Sequence, residues 1–298
     1  MHVGIALPQN GRHAQEASAI AGFAREAERL GAASLWVGDR LLAPVRPTVG
    51  YMGTDTIPEE FRAVLDPFAL LTAAAAVTES ILVGSSVINI TQYSPAVLAR
   101  QLTTIDQLSG GRLIPGFGIG WSPEEYAAAG IPFASRGARL DESLDVLERW
   151  WSESPVEYQG KFWQVPASYV DVKPVQRPRP PIHLGAIGPT ALRRVGRRAD
   201  GWLPAVLLSD RVDPEPLIQA RAVIDQAARD TGRDPSAIGS VPRLIATRPL
   251  SAADLATALR TLRDRAGIEH AFLHFPAADG PQQTLDTTGE VLELLKAG

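Results

Sequence analysis

The sequence of 298 residues contains no cysteine. That absence excludes disulfides, a thiol nucleophile, zinc sites built on cysteine and iron–sulfur clusters. Lysine is nearly as scarce, since it occurs only as Lys161, Lys173 and Lys296. None of the three stands at the end of a predicted strand, which argues against an enzyme that forms a Schiff base. The motif H-E-x-x-H is also missing, and we predict no metal site.

Several other classes of protein are disfavoured by what the chain has little of. The 29 basic and 33 acidic residues leave a net charge of −4, which disfavours nucleic-acid partners and polybasic membrane binding. No apolar run approaches the roughly 18 residues of a membrane-spanning helix. The N-terminus has too short an apolar core, and no basic start, for a signal peptide. We therefore expect a cytoplasmic protein. Motifs of P-loop NTPases and α/β-hydrolases are absent as well.

What is present is a regular alternation of β-rich runs and amphipathic helices. The predicted strands cover residues 2–7, 34–37, 81–90, 113–117, 182–184, 201–204, 240–247 and 270–275. The predicted helices cover residues 17–30, 67–78, 95–108, 138–151, 190–198, 213–230 and 252–266, with a last one ending near 296. Eight such units in one chain predict an α/β fold, a (β/α)8 TIM barrel that spans residues 1–298 as a single domain with loop insertions. The alternative is an open, doubly wound sheet.

In a barrel the chemistry lies where the strands end. The fifth strand is followed by Gly185, Ala186, Ile187, Gly188, Pro189 and Thr190, which lead into a helix whose free N–H groups suit a phosphate. That helix carries Arg193, Arg194, Arg197 and Arg198, which would favour an anionic ligand. The alternative is a plain tight turn before a solvated basic helix.

The fourth strand ends in alternating glycines, Gly116, Gly118 and Gly120, followed directly by Trp121. Alternating glycines permit a flat ligand to approach the backbone closely, although a bulge at the barrel rim explains them equally well. Trp121 is the only tryptophan that we predict to lie near a ligand. The next residues, from Ser122 to Glu125, fit a capping box for a short helix.

Three titratable side chains follow strands and are candidates for catalysis. Asp39 and Arg40 come after the second strand, where they form either a pair that lines a pocket or a surface ion pair. His274 lies at the end of the eighth strand and is a candidate acid or base. The alternative for His274 is a buried histidine with satisfied hydrogen bonds.

Five segments resemble the bacterial-luciferase-like superfamily, and within it the branch of oxidoreductases that depend on coenzyme F420. The segments are residues 4–8 (GIALP), 27–39 (AERLGAASLWVGD), 98–113 (LARQLTTIDQLSGGRL), 116–121 (GFGIGW) and 180–185 (PPIHLG). The resemblance covers nearly the whole chain. It is specific for the superfamily rather than for the cofactor, because members that use FMN have the same barrel.

The resemblance implies a deazaflavin or flavin ring at the open end of the barrel. It implies a cis peptide between Ser86 and Val87 that forms a bulge behind the ring, with Asn89 nearby. It also implies that Gly116 and Gly118 flank the ring, and that the turn 185–190 holds the cofactor phosphate. A homodimer is expected, because relatives commonly pair through barrel helices.

The resemblance further implies hydride transfer between F420 and a small organic substrate, with an FMN-dependent monooxygenase as the alternative. A barrel that binds a phosphorylated ligand without redox chemistry is a third interpretation, which the lack of suitable lysines disfavours. Many F420-dependent relatives have histidine where this chain has Arg40. Arginine does not deprotonate near neutral pH, so Arg40 would act through its charge or by binding an anionic substrate. Sugar-phosphate dehydrogenases of the family have glutamate in place of Trp121, which argues against such a substrate here.

Overall fold

The strands of the protein follow the predicted alternation. A computed structural model of the chain describes residues 1–276 and 280–297. In chain order the strands are β1 (His2–Ala6), β2 (Ser34–Val37), β3 (Leu82–Ser85), β4 (Ile88–Asn89), β5 (Leu113–Ile114), β6 (Gly116–Gly118), β7 (Val156–Gln159), β8 (Gln164–Ser168), β9 (His183–Leu184), β10 (Gly201–Trp202), β11 (Ala205–Leu208), β12 (Gly239–Ser240), β13 (Arg243–Ala246) and β14 (His270–His274). Within the described residues these strands pair in parallel, except that β7 and β8 form an antiparallel hairpin.

The parallel strands close into a ring. β14 pairs with β1, β1 with β2, β2 with β3, and β3 with β5. The ring continues from β4 through β6, β9 and β10 to β12, and β11 returns through β13 to β14. Four barrel strands are interrupted, so that β3 and β4, β5 and β6, β10 and β11, and β12 and β13 each make one barrel position. This closed ring confirms the (β/α)8 barrel and excludes the open sheet.

Each barrel strand is followed by a helix. The helices are α1 (Ile20–Leu30), α2 (Pro67–Val77), α3 (Pro95–Ser109), α4 (Pro123–Ala128), α5 (Arg136–Ser152), α6 (Pro189–Arg198), α7 (Glu215–Arg229), α8 (Ala252–Ala266) and α9 (Pro281–Lys296). Asp66 caps α2 by accepting a 2.8 Å bond from the amide of Ala69, and Ser251 with Asp254 forms a capping box at α8. No helix within the described residues is long and apolar enough to cross a membrane.

Several boundaries differ from the prediction. The predicted strands 113–117 and 240–247 are interrupted, and the predicted strand 201–204 is replaced by β10 and β11, which extend to Leu208. The first helix begins at Ile20 rather than at residue 17, because the preceding segment, Gly11–Ala19, winds as a 3₁₀ helix with a kink at Glu16. The predicted strand 81–90 is broken between β3 and β4, where the peptide that joins Ser86 to Val87 is cis. That peptide bond is where the resemblance implied it.

An aromatic layer fills the middle of the barrel. The rings of Trp36 and Phe272 stack with their centroids 4.8 Å apart, and Leu203 packs in the same cluster. Gly84 leaves the room that this layer needs, because a Cβ atom there would lie 2.7 Å from the ring of Trp36. The interior is thus closed by side chains, and the carboxyl ends of the strands form an open mouth above them.

Candidate active site

The segment that follows β2 is held to the neighbouring strand by a glutamine. The side chain of buried Gln9 accepts a 2.6 Å bond from the amide of Gly38 and donates a 2.9 Å bond to its carbonyl. This two-bond clamp fixes the backbone immediately before Asp39 and Arg40. Both residues lie partly buried at the mouth.

Asp39 is the candidate proton donor or acceptor of the mouth. Its Oδ2 accepts a 2.9 Å bond from the amide of Asn89, and the hydroxyl of Tyr93 donates to the carboxylate at 3.1 Å. Burial raises the pKa of Asp39 to about 6, although the bonds from Asn89 and Tyr93 act against this effect. A carboxyl group with such a pKa can both give and take a proton near neutral pH.

Arg40 forms a buried ion pair rather than a surface one. Its Nε lies 3.1 Å from Oε1 of Glu125, and both side chains are almost fully buried. The guanidinium stacks over the rings of Trp121 and Phe61, at 4.4 and 5.0 Å from their centroids. Burial lowers the pKa of Arg40 while the charge of Glu125 raises it. The ring centroids of Trp121 and Tyr51 are 5.6 Å apart. Aromatic rings therefore line this side of the mouth.

The prediction of a capping box at α4 is wrong. The hydroxyl of Ser122 donates a 2.8 Å bond to the carboxylate of Glu124 instead of capping the helix. Glu125 turns inward, where it accepts bonds from the amides of Leu41 and Leu42 at 2.8 and 3.3 Å. The carboxylate of Glu125 therefore compensates Arg40 and anchors the loop that follows β2.

The bulge at Ser86 and Val87 explains why its neighbours are glycines. A Cβ atom at Gly118 would lie 2.4 Å from Val87 Cγ2, and one at Gly185 would lie 3.0 Å from Val87 Cγ1. At Gly116 it would lie 1.9 Å from the carbonyl oxygen of Ser85. Packing within the protein thus accounts for glycine at these positions, and contact of Gly116 and Gly118 with a ring stays a prediction. At Gly38 a Cβ atom would lie 3.9 Å from the carbonyl oxygen of Ser86, an ordinary van der Waals distance, so packing does not require glycine there.

The turn before α6 is open to solvent. Ala186 is buried, and its carbonyl accepts a 3.0 Å bond from the indole of Trp202. The next four residues, 187–190, are exposed, and Ile187 is 85% exposed despite its apolar side chain. Gly188 is the N-cap residue and offers no side-chain bond, and Pro189 is the first helical residue. The first N–H groups of α6 are therefore not satisfied by a capping side chain, which suits an anionic group.

The basic face of α6 is only partly available to a ligand. Arg194 binds the carboxylate of Asp141 with bonds of 2.7 and 3.1 Å, and Arg198 binds Asp145 at 2.5 Å. The expectation that all four arginines favour a ligand is therefore wrong for these two, which attach α6 to α5. Arg193 and Arg197 remain exposed.

His274 meets an arginine that the sequence did not single out. Arg243, the first residue of β13, donates a 2.9 Å bond from Nη2 to Nδ1 of His274. Its Nη1 lies 3.4 Å from the carbonyl oxygen of Ser86. Burial, and then the positive charge of Arg243, hold the pKa of His274 well below its ordinary value. The imidazole is therefore neutral near pH 7 and can donate a hydrogen bond, but it is not an imidazolium acid.

The mouth thus gathers residues from separate parts of the prediction. Asp39 contacts Asn89, Arg40 contacts Trp121, and Val87 lies between Gly118 and Gly185. His274 joins this group through Arg243. The residues that sequence reasoning missed are Gln9, Tyr93, Glu125 and Arg243. Only position could have indicated Gln9 and Arg243, since Gln9 follows β1 and Arg243 lies inside the predicted strand 240–247 rather than at its end.

A planar cofactor with a phosphate fits the residues that are present. A side chain would fit beside the Ser86 carbonyl at Gly38 without a clash, and the uncapped start of α6 follows β9, two barrel strands from Val87. The Nε atom of Arg243 and Nη2 of Arg40 are buried without a hydrogen-bond partner, and buried polar atoms normally have one. No cluster of three or more metal-ligating side chains occurs in residues 1–276 and 280–297.

Comparison with known proteins identifies the family. The sequence model of the luciferase-like monooxygenase family matches residues 1–296. The chain belongs to this family. Among the curated luciferase-like proteins, it is 33% identical over 189 residues to the F420-dependent glucose-6-phosphate dehydrogenase of Amycolatopsis mediterranei, which covers 61% of this chain and 51% of the dehydrogenase. The protein is therefore a luciferase-like oxidoreductase.

Solved structures of luciferase-like enzymes share the fold. An F420-dependent secondary alcohol dehydrogenase in complex with an F420–acetone adduct superposes with a TM-score of 0.80 at 17% identity, covering 99% of this chain and 98% of the other. The oxygenating constituent of 3,6-diketocamphane monooxygenase from Pseudomonas putida, in complex with FMN, has a TM-score of 0.67 at 18% identity, covering 100% and 88%. At such identities the likeness establishes the fold alone, and both cofactor classes occur among the neighbours.

Proposed function

We propose that the protein transfers a hydride between coenzyme F420 and a carbonyl or other unsaturated group of a small organic substrate. The observation that carries this proposal is Asp39, whose pKa of about 6 suits proton transfer at the mouth. Reduction of a carbonyl requires a proton as well as a hydride, and F420 when bound supplies the hydride. The identity of 33% to an F420-dependent dehydrogenase supports the choice of cofactor.

In this proposal the polar residues of the mouth divide the work of binding and proton transfer. Asp39 gives the proton to the substrate oxygen or takes it back, while the amide of Asn89 and the hydroxyl of Tyr93 keep the carboxyl group oriented. Arg40 contributes positive charge, which Glu125 largely neutralises. His274, neutral and able to donate one hydrogen bond from Nε2, helps to hold the substrate. The aromatic wall of Trp121 and Tyr51 excludes water.

The proposed cofactor site combines the bulge with the turn before α6. Its residues are Ser86, Val87, Asn89, Gly116, Gly118, Trp121, Gly185, Ala186, Ile187, Gly188, Pro189 and Thr190. The amides at the start of α6 would hold the phosphate, helped by the positive end of the helix dipole. Because Trp121 stands where sugar-phosphate dehydrogenases have glutamate, we do not extend the substrate of the Amycolatopsis enzyme to this protein.

An FMN-dependent monooxygenase is the second candidate function. The FMN-bound diketocamphane monooxygenase, which has the same fold, favours it. Such an enzyme consumes oxygen together with its substrate, whereas a deazaflavin does not form a stable peroxide. Oxygen uptake coupled to substrate therefore separates the two functions.

A cytoplasmic location and a homodimer remain predictions, and light scattering of the purified protein tests the dimer.

The first experiment is a titration of the purified protein with F420 and, separately, with FMN, oxidised and reduced under anaerobic conditions. Absorbance and fluorescence of each cofactor report binding. We expect F420 to bind more tightly than FMN, and reduced F420 to be oxidised by carbonyl substrates without oxygen uptake. Tighter binding of FMN with oxygen uptake would favour the monooxygenase, and binding of neither cofactor would contradict both functions.

The second experiment tests the role of Asp39. Asp39→Asn should lower kcat by about 10²-fold or more, since the variant cannot transfer a proton. It should leave the affinity for F420 within about twofold, because the residue is not assigned to the cofactor. Asp234→Asn, which alters an exposed carboxylate bonded to Ser236, serves as the control. An Asp39→Asn variant with ordinary kcat would exclude the proposed proton transfer.

A further inference from the structure

Arg243 is a buried cation that the proposed reaction does not require. It enters the barrel from β13, in register with Phe272 of β14, and its head lies between the bulge and His274. Two of its nitrogens contact the Ser86 carbonyl and the imidazole of His274. Its Nε atom is buried and has no hydrogen-bond partner. A buried donor without a partner is costly, and in a native protein such a donor is normally satisfied by a bound ligand, ion or water.

The charge of Arg243 is also uncompensated. Within residues 1–276 and 280–297, no carboxylate forms an ion pair with it, whereas Arg40, Arg194 and Arg198 each have at least one. Burial lowers the pKa of Arg243, and the group that acts against this effect is the phenol of Tyr51. Placing a guanidinium in the barrel without an anion is unfavourable unless an anion arrives with the ligand.

His274 adds a second donor at the same place. Arginine can only donate hydrogen bonds, so Nδ1 of His274 must accept the bond from Arg243. The neutral imidazole therefore carries its proton on Nε2. His274 also lines a small cleft of about 30 Å³ together with residues that follow β1 and β14, among them Leu7, Gln9 and Phe275. The two side chains thus offer hydrogen-bond donors and one full positive charge, and His274 also reaches the wall of that small cleft.

We propose that Arg243 and His274 bind a carboxylate group of the substrate, which makes the substrate class a small oxo acid or unsaturated acid. A planar carboxylate matches one edge of a guanidinium and accepts a further bond from an imidazole N–H. The apolar cluster of Trp36, Leu203 and Phe272, with Val87 packed on it, would contact the hydrocarbon part of that acid. The substrate class rests on the proposed function, but binding of the carboxylate does not need a cofactor.

The test measures binding of phenylacetate and its neutral analogue phenylacetamide to cofactor-free protein by calorimetry. The variants are Arg243→Gln, Arg243→Lys and, as the control that removes one exposed positive charge, Arg29→Gln. We expect phenylacetate to bind at least tenfold more tightly than the amide to the wild type and the control. That preference should vanish in Arg243→Gln and persist in part in Arg243→Lys. Circular dichroism checks that each variant is folded.

Several outcomes would overturn the proposal. Equal affinity for acid and amide in the wild type would do so without any variant, even if Arg243→Gln did not fold. So would an unchanged preference for the acid in Arg243→Gln. An anionic oxygen on the ring of a reduced cofactor could use the same donors. If Arg243→Gln weakened only the binding of reduced F420 and left phenylacetate unaffected, the ring rather than the substrate would be the ligand. If F420 did not bind but the preference for phenylacetate were observed, the proposed cofactor would be wrong and the carboxylate site would still be supported.

Discussion

Replacing Asp39 by asparagine should make the protein more stable above pH 6. The pKa of Asp39 rises from 3.8 to about 6 on folding, so the folded protein favours the protonated carboxyl group. The stability that this group contributes is fully present below its unfolded pKa and is lost as the pH rises through 6. A pKa difference of about 2 corresponds to ~3 kcal/mol, which we take as the upper limit of the loss. Asparagine does not ionise, so the Asp39→Asn variant avoids this loss of stability.

The assay is urea unfolding of both proteins between pH 4.5 and 7.5. The advantage of Asp39→Asn over the wild type should grow across pH 4.5 to 7 and then level off. Changes in hydrogen bonding to Asn89 and Tyr93 add a constant offset, so the slope against pH is the decisive quantity. Asp234→Asn should run parallel to the wild type over this range, because the bonds from Ser236 lower the pKa of Asp234 below 3.8 and the carboxylate is ionised in both the folded and the unfolded state. If the free energies of unfolding of wild type and Asp39→Asn changed with pH in parallel, burial would not raise the pKa of Asp39 as described.

Three further predictions concern the rest of the barrel. Burial lowers the pKa of His270 to about 4, so the wild type should lose stability as the pH falls from 6.5 to 4, and thermal melts of His270→Gln should show a smaller loss. Glu125→Ala leaves Arg40 buried without its partner and should cost ~3–5 kcal/mol in urea unfolding, and an unchanged midpoint would contradict the buried pair. Gly118→Ala should cost ~1–3 kcal/mol because its Cβ would meet Val87, whereas Gly188→Ala, with open space around it, should be neutral in the same assay.

The sequence could predict the barrel because each unit carries local signals. Asp66 and Pro67 mark the start of α2, and Ser251 with Asp254 marks that of α8, as the structure has them. Such signals act over three or four residues and do not depend on the rest of the fold. The order of eight strand–helix units then leaves few arrangements other than a closed ring.

The candidate site could be predicted only in part, because its contacts join distant residues. The spacing of Ser122 and Glu125 indicated a capping box, but Glu125 lies against Arg40, which is 85 residues away in the chain. A buried guanidinium attracts a carboxylate more strongly than an exposed helix end does. The alternating glycines were compatible with a flat ligand or with a bulge at the rim, and the structure places the carbonyl oxygen of Ser85 beside Gly116 and the side chain of Val87 beside Gly118. Contacts between residues so far apart in the chain leave no signal in the local sequence.

The loop after β2 is pinned at both ends, which has a consequence for redesign. Glu124 and Glu125 hold the amides of Thr48, Leu41 and Leu42, and the far end pairs through Gly11 with Ala63 and through Leu65 with Gln9. Both ends of the segment 49–62 are therefore held by hydrogen bonds to the barrel, and the segment itself is an insertion between these two anchored ends. That stretch can be swapped or lengthened to suit new substrates while the barrel beneath keeps its shape.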